Sequence, residues 1–273
     1  MRAVLFALGI SAVGMILPAA RAEVVVIALP QPEGFFTTFP FSVRYPIDLN
    51  GDSTADFTFS YHCTGVALRT ERANRVVYRI APPPNLGGRV QRLPEGFLIS
   101  SELGTPGLDW GSSDQRDGYV SPGEKAFMNI VLCLSTGCAS TWPPGPLQRG
   151  FIGLEFELAD GLHYGYFDVS VSGSVPAASL YGWAYESRPG VPIKAGAKPV
   201  LVPMAAPQVA RAGYLRLKWP SEVGKAYQVQ ARTRMDALTW TSLSFVIPAT
   251  ATETMVDVPM IGAAGFFRVI EAD

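Results

Sequence analysis

The 273-residue chain carries 22 Lys+Arg against 23 Asp+Glu, is 48% hydrophobic, and contains 27 Gly and 23 Pro. This balance, with no run of Lys or Arg anywhere, excludes the clustered basic face that a nucleic-acid or anionic-membrane protein needs. Abundant Val, Phe, Tyr and Trp exclude disorder, while the Gly and Pro content marks a turn-rich chain with ample material for a core.

In chain order, Met1-Arg2, the apolar run Ala3 to Leu17, Pro18 and Ala20-Arg21-Ala22 have the charged start, short apolar core and small-residue exit of a secretory signal peptide. Cleavage after residue 22 is expected to leave Glu23 first. An uncleaved, membrane-anchored form is disfavoured by the shortness of the run. The position directly after the cleavage site is Glu23 and not Cys, against a lipid-anchored start, and no later run approaches the roughly 18 apolar residues of a membrane helix. The mature chain is expected to be secreted, with 20 Lys+Arg against 23 Asp+Glu once Arg2 and Arg21 are removed.

Strands are expected over Glu23 to Leu29, Phe35 to Tyr45 and Phe57 to Cys63. Between the last two lies Asp48-Leu-Asn50-Gly-Asp52-Ser-Thr54-Ala-Asp56, the strongest chemical signal in the chain. Oxygen side chains at loop positions one, three, five and nine, with the carbonyl of Thr54 at seven, can surround one hard cation. Six to eight oxygens at about 2.3–2.6 Å suit Ca²⁺, so the expected ligands are Asp48, Asn50, Asp52, Thr54 and Asp56. The same residue types also populate metal-free turns; the recurrence of carboxylates at ligand spacing favours the cation. An EF-hand is disfavoured because its sixth position holds Ser53 and its twelfth Phe59. The spacing is similar to the short calcium loops between strands of integrin-type repeats, which also favour Gly where Ser53 stands.

Further strands are expected over Arg75 to Ile80, Phe97 to Ser100, Phe127 to Leu132, Phe151 to Leu158, Tyr164 to Val171 and Leu180 to Tyr185, separated by turns such as Ala81-Pro-Pro-Pro-Asn85 and Trp142-Pro-Pro-Gly145. No amphipathic helix of three turns is found outside the signal, so the expected class is all-β, a β-sandwich or jelly-roll. Pro189 to Gly196 is suited to a linker or strand exit. After it, alternation at Leu215, Leu217, Trp219 and at Tyr227, Val229, Ala231 suggests a small fibronectin-III-like β-sandwich. The expected units are 1–22 signal peptide, 23–197 β-sandwich with the calcium loop, and 198–273 C-terminal β-sandwich.

Of the three cysteines, Cys133 and Cys138 are expected to form a disulfide across Leu134-Ser-Thr-Gly137, leaving Cys63 as a buried small hydrophobe on the face shared by Phe57, Phe59 and Tyr61. Intermolecular pairing remains an alternative for the odd thiol.

The loop Ile47 to Asp52 before Asp56-Phe57, the run Gly150 to Tyr166 with His163-Tyr-Gly165, and Ala184-Tyr-Glu186 ahead of Pro189-Gly190 and Ile193-Lys-Ala-Gly196 resemble secreted bacterial proteins of the PEP-CTERM-associated type. The resemblance implies an exported surface or matrix protein, mostly without assigned activity in that group. The tail, with Leu217-Lys-Trp219, Tyr227-Gln-Val-Gln230, Leu238-Thr-Trp240 and Phe266-Phe-Arg-Val269, is similar to C-terminal β modules of exported bacterial proteins. The Pro-Glu-Pro sorting signal is absent from the ending Val269-Ile-Glu-Ala-Asp273, so exosortase-type processing is not implied.

Two function classes follow. The leading expectation is a non-enzymatic, calcium-stabilised surface or matrix protein making protein or glycan contacts. The alternative is a β-sandwich glycoside hydrolase using Glu155 and Glu157, two apart on a strand and near Asp160. Carboxylates about 5–5.5 Å apart retain and about 6.5–9.5 Å apart invert, and laminarinase-like sandwiches carry a comparable acidic strand, ordered Glu-x-Asp-x-x-Glu. The simpler expectation for these residues is an ordinary polar face opposite Leu154, Phe156 and Leu158. His62 and His163 are too few for an imidazole-based zinc site, and His163 is expected to be a structural histidine after the Asp160-Gly161 turn. A Cys63 nucleophile paired with His163 is disfavoured, as is a Gly-x-Ser-x-Gly hydrolase, whose motif is missing. Trp110, Trp142 and Trp183 are candidates for a sugar-stacking platform, but most tryptophans in a sandwich are core and Trp183, in an apolar strand, is expected to be; Trp142, in its Pro/Gly loop, is the best exposed candidate.

Overall fold

A strand whose side chains alternate apolar and polar buries one face and exposes the other, and several short runs of this kind can close only by stacking sheets. The computed structural model of the chain describes residues 24–35, 43–62, 65–79, 89–113, 128–134, 137–234, 240–243, 246–260 and 265–272. Every regular element among them is a β-strand, so the chain is all-β; among the described residues no helix is long and apolar enough to cross a membrane. The signal peptide at 1–22, Cys63, and residues 36–42 of the strand expected over Phe35 to Tyr45 lie outside the described residues.

The first group of strands is β1 (Val24–Phe35), β2 (Val43–Ile47), β3 (Phe57–His62), β4 (Gly65–Thr70), β5 (Arg75–Arg79), β6 (Arg89–Val90), β7 (Leu98–Ile99), β8 (Leu108–Gly111), β9 (Met128–Leu134), β10 (Gly137–Ser140), β11 (Gln148–Leu158), β12 (Gly161–Val171), β13 (Ala178–Glu186) and β14 (Ile193–Lys194). One sheet runs β1-β13-β12-β11-β5-β6 with β8 also on β5, and a second runs β10-β9-β4-β3-β2. All the pairings are antiparallel, and the β11–β12 hairpin turns tightly from Leu158 to Gly161.

These two sheets share one core. Phe57, Phe59, Tyr61, Val66 and Leu68 from the second meet Ile152, Leu154, Phe156, Phe167, Val169 and Leu180 from the first. Phe57, Phe59 and Tyr61 lie on one face of β3 as their spacing predicts, and Phe167 receives the first two rings edge-on at 5.4 and 5.3 Å. Burying each such side chain stabilises the fold by about 1.5–3 kcal/mol.

The larger sheet is covered on its other face as well. Val77, Leu93, Ile99, Trp110, Tyr164, Tyr166, Ile193 and Ala195 form a second apolar layer there. Pro189 to Gly196, read from sequence as a linker or strand exit, is instead part of this cover. Ile193 pairs with Ile99 across β14 and β7, Ala195 N–H donates to Phe97 O at 2.9 Å, and Gly96 N–H donates to Ala195 O at 2.8 Å. The Pro and Gly residues there shape a packed strap.

The later strands are β15 (Leu201–Val202), β16 (Gln208–Arg211), β17 (Tyr214–Pro220), β18 (Ala226–Arg232), β19 (Thr241–Ser242), β20 (Ile247–Pro248), β21 (Glu253–Pro259) and β22 (Phe266–Ala272). They form the sheets β15-β22-β18-β19, with β20 also on β18, and β16-β17-β21. Leu217 and Trp219 from one meet Tyr227, Val229 and Val269 from the other. The expected boundary at 197/198 falls between β14 and β15.

Candidate functional site

The Asp48–Asp56 loop joins β2 to β3, whose register pairs Ile47 with Phe57. Its ends are held from several sides. Asp56 N–H donates to Ile47 O at 2.8 Å, Glu71 N–H donates to Asp56 O at 3.0 Å, and Asn74 Nδ2 donates to the same carbonyl at 3.1 Å. Leu49 drops into the core, and its carbonyl accepts the Trp183 indole N–H at 3.4 Å. Asn74, which the sequence reading did not single out, also accepts Glu157 N–H and so ties the loop to β11.

Within the loop, Asp48 organises the backbone. Its Oδ1 accepts the amides of Asn50, Gly51 and Asp52, and its Oδ2 accepts Ser53 N–H at 2.7 Å. Asn50 Oδ1 accepts Asp52 N–H, and Asp52 Oδ1 accepts Thr54 N–H at 2.8 Å. This winding places Gly51 at φ 80° and Ser53 at φ 67°. The left-handed conformation of Ser53 is one that only Gly adopts without steric cost.

Asp56 differs from the other acids. It is 1% exposed; Oδ2 accepts Leu49 N–H at 2.9 Å, while Oδ1 is buried with no hydrogen-bond partner. Burial pushes its carboxyl above the usual range, and the charges of Asp52 and Asp48 push it further against the pull of Leu49 N–H and Arg72. Asp52 is held below the usual range by Thr54 N–H and by Asn50. An orphaned buried oxygen facing like charge is the deficit that a cation relieves. The carboxylates as they stand are turned onto the loop's own amides, and among the described residues no three Asp, Glu, His or Cys side chains form a group that could hold a metal. The donor set Asp48, Asn50, Asp52, Thr54 and Asp56 fits a hard cation in chemistry, and the carboxylates must swing inward to ligate one.

Glu155 departs from the polar face expected of it, whereas Glu157 keeps to it. Glu155 is 2% exposed, sealed under the second apolar layer, and its Oε1 accepts Arg75 Nε at 2.5 Å. Glu157 is exposed. A buried carboxylate closed by a guanidinium is a structural ion pair, kept because a lone buried charge is costly. His163 is fully buried; Nδ1 lies 2.8 Å from Glu186 O and Nε2 3.0 Å from Asp160 Oδ1. Both partners only accept, so the ring is clamped across the hairpin, and its contact holds the Asp160 carboxyl below the usual range.

The tryptophan platform is overturned by burial. Trp142, expected to be exposed, is 2% exposed and packs in the shared core; Trp110 is 5% exposed, and Trp183, at 8%, lies in the core as expected. The Trp142 loop folds against the turn after β12, where a Cβ on Gly173 would strike the carbonyls of Trp142 and Pro143.

The signature residues form one cluster. Gly165 pairs with Tyr185, and a Cβ on Gly165 would sit 2.6 Å from Ala184 O. Tyr185 packs edge-on against Phe156 and His163, and Gly190 N–H donates to Leu162 O at 2.6 Å. Motif spacing here encodes packing of β12, β13 and the strap. Cys138 is disulfide-bonded, and the register sets Cys133 directly across from it. Opposed residues of an antiparallel pair stand about 4.5–5.5 Å apart between α-carbons, inside the range of about 4.4–6.8 Å that a disulfide spans.

Comparison of the chain with protein-family models, curated proteins and solved structures finds no match.

Proposed function

We propose that the chain is a non-enzymatic, exported protein of the bacterial surface or extracellular matrix, of the PEP-CTERM-associated type, stabilised by Ca²⁺ and making protein or glycan contacts. The observation that carries the calcium part is Asp56, whose buried Oδ1 lacks any partner within a loop of hard oxygen donors. Asp48, Asn50, Asp52, Asp56 and the Thr54 carbonyl would hold the ion, which would neutralise the loop's charge and tie β2 to β3. The sealing of Glu155 by Arg75 supports a binding role over hydrolysis. The finer reading of the first unit as a jelly-roll, of the second as fibronectin-III-like, and of Cys133–Cys138 as a staple belongs to this proposal.

The experiment is retention of the mature chain on a polysaccharide panel with calcium present, reading bound protein and released reducing ends from the same tubes. Retention without release supports the reading. Released sugar that disappears in Glu155→Gln would replace it with the hydrolase.

A further inference from the structure

A cleft of about 350 Å³ lies between β11, β12 and the end of the strap, lined in part by Arg92, Arg149, Phe151, Tyr166, Asp168 and Lys198. Its walls are fixed. Tyr166 O–H donates to Ala197 O at 2.5 Å, pinning the strap one residue before Lys198, and Phe151 meets the Tyr166 ring edge-on at 5.1 Å. Arg149 makes two hydrogen bonds to Asp168, at 2.8 and 2.7 Å, and its guanidinium lies 4.3 Å from the centre of the Tyr181 ring.

Arg149 is therefore neutralised, but two other cations are not. Arg92 donates from Nη2 to Arg149 O at 2.9 Å, whereas its Nε is buried with no partner. Neither Arg92 nor Lys198 has a carboxylate partner among the described residues. Two cations without a carboxylate partner on one cleft call for an anion. The same cleft carries Glu95 and Asp168, whose carboxylate oxygens accept hydroxyl hydrogen bonds. A ligand satisfying both demands is a polyhydroxylated ring that bears a carboxylate, and the cleft volume falls in the range of small-molecule sites.

We propose that this cleft binds a hexuronate unit of an acidic polysaccharide, its carboxylate on Arg92 and Lys198 and its hydroxyls toward Asp168 and Glu95. This rests on the glycan-contact reading and names the ligand class. Gly150 has a positioning role, because a Cβ there would lie 2.8 Å from Arg92 Cγ and Nε.

The test is calorimetric titration of the full mature chain with trigalacturonate, its methyl ester, maltotriose and pentaglutamate. Trigalacturonate is expected to bind, with the ester and maltotriose weaker by about tenfold or more, the worth of a charge-assisted hydrogen bond. Arg92→Gln, Lys198→Ala and Gly150→Ala should each weaken it by about tenfold in proteins that melt as the wild type does. Absence of trigalacturonate binding, equal binding of the ester, equal binding of pentaglutamate, or unchanged affinity in both charge variants would each overturn the assignment. If the polysaccharide panel itself retains nothing, the wider reading fails; if it retains the chain and Arg92→Gln changes nothing, this site alone fails.

Discussion

Replacing Asp56 by Asn keeps the size of the side chain and an acceptor for Leu49 N–H while removing a charge that burial and two neighbouring carboxylates oppose. The effect should therefore change sign with calcium. A cation at about 100 times its Kd stabilises the state that binds it by about 2.7 kcal/mol, or about 5–10 °C in Tm for a domain of this size. Wild type is expected to gain that shift between chelator and calcium, and Asp56→Asn to lose most of it. In chelator the variant should melt at the same temperature or higher. Because burial holds the folded pKa of Asp56 above its ordinary 3.8, its contribution to stability is whole below that value and is lost as pH rises through the folded one. Cation-free wild type should thus gain on the variant as pH falls toward about 4, and the calcium shift should shrink as the proton competes for Asp56. Scanning calorimetry of both proteins in chelator and in calcium reads all of this. A wild-type melt unmoved by chelation, or a variant equally destabilised in both conditions, would refute the reasoning.

Three further outcomes are expected from the core. Arg75→Met strands the Glu155 charge and should cost toward the lower end of about 3–5 kcal/mol, since 41% of the Arg75 side chain is exposed; Glu155→Gln in the same background should recover part of it in chemical denaturation. Gly165→Ala drives a methyl onto Ala184 O and should destabilise by about 1–3 kcal/mol, seen as a lower Tm with an unchanged calcium shift. Trp219→Ala opens the core of the later sheets, where the ring is 1% exposed, and should cost about 3–5 kcal/mol while leaving the response of the Asp48–Asp56 loop to calcium intact.

The alternation of Phe57, Phe59 and Tyr61, and of Leu215, Leu217 and Trp219, was enough to determine an all-β chain, because period two is a local property that survives whatever packs against it. The acidic stretch was equally legible as a loop between two strands, since its Asp, Asn, Gly and Ser residues lie within nine consecutive positions. What tertiary structure alone decided depends on segments distant in sequence. β11 looked one-sided, yet the other face of its sheet is covered because Leu93, Ile99, Trp110, Ile193 and Ala195, from segments distant in sequence, pack against it. Trp142 sits in a Pro/Gly loop that reads as exposed, yet it is buried where that loop meets Gly173 in the turn after β12. The orphaned oxygen of Asp56 and the unbalanced charge of Arg92 and Lys198 are likewise invisible in one dimension. Burial and pairing are set by contacts across the sheets, which no local pattern of residues specifies.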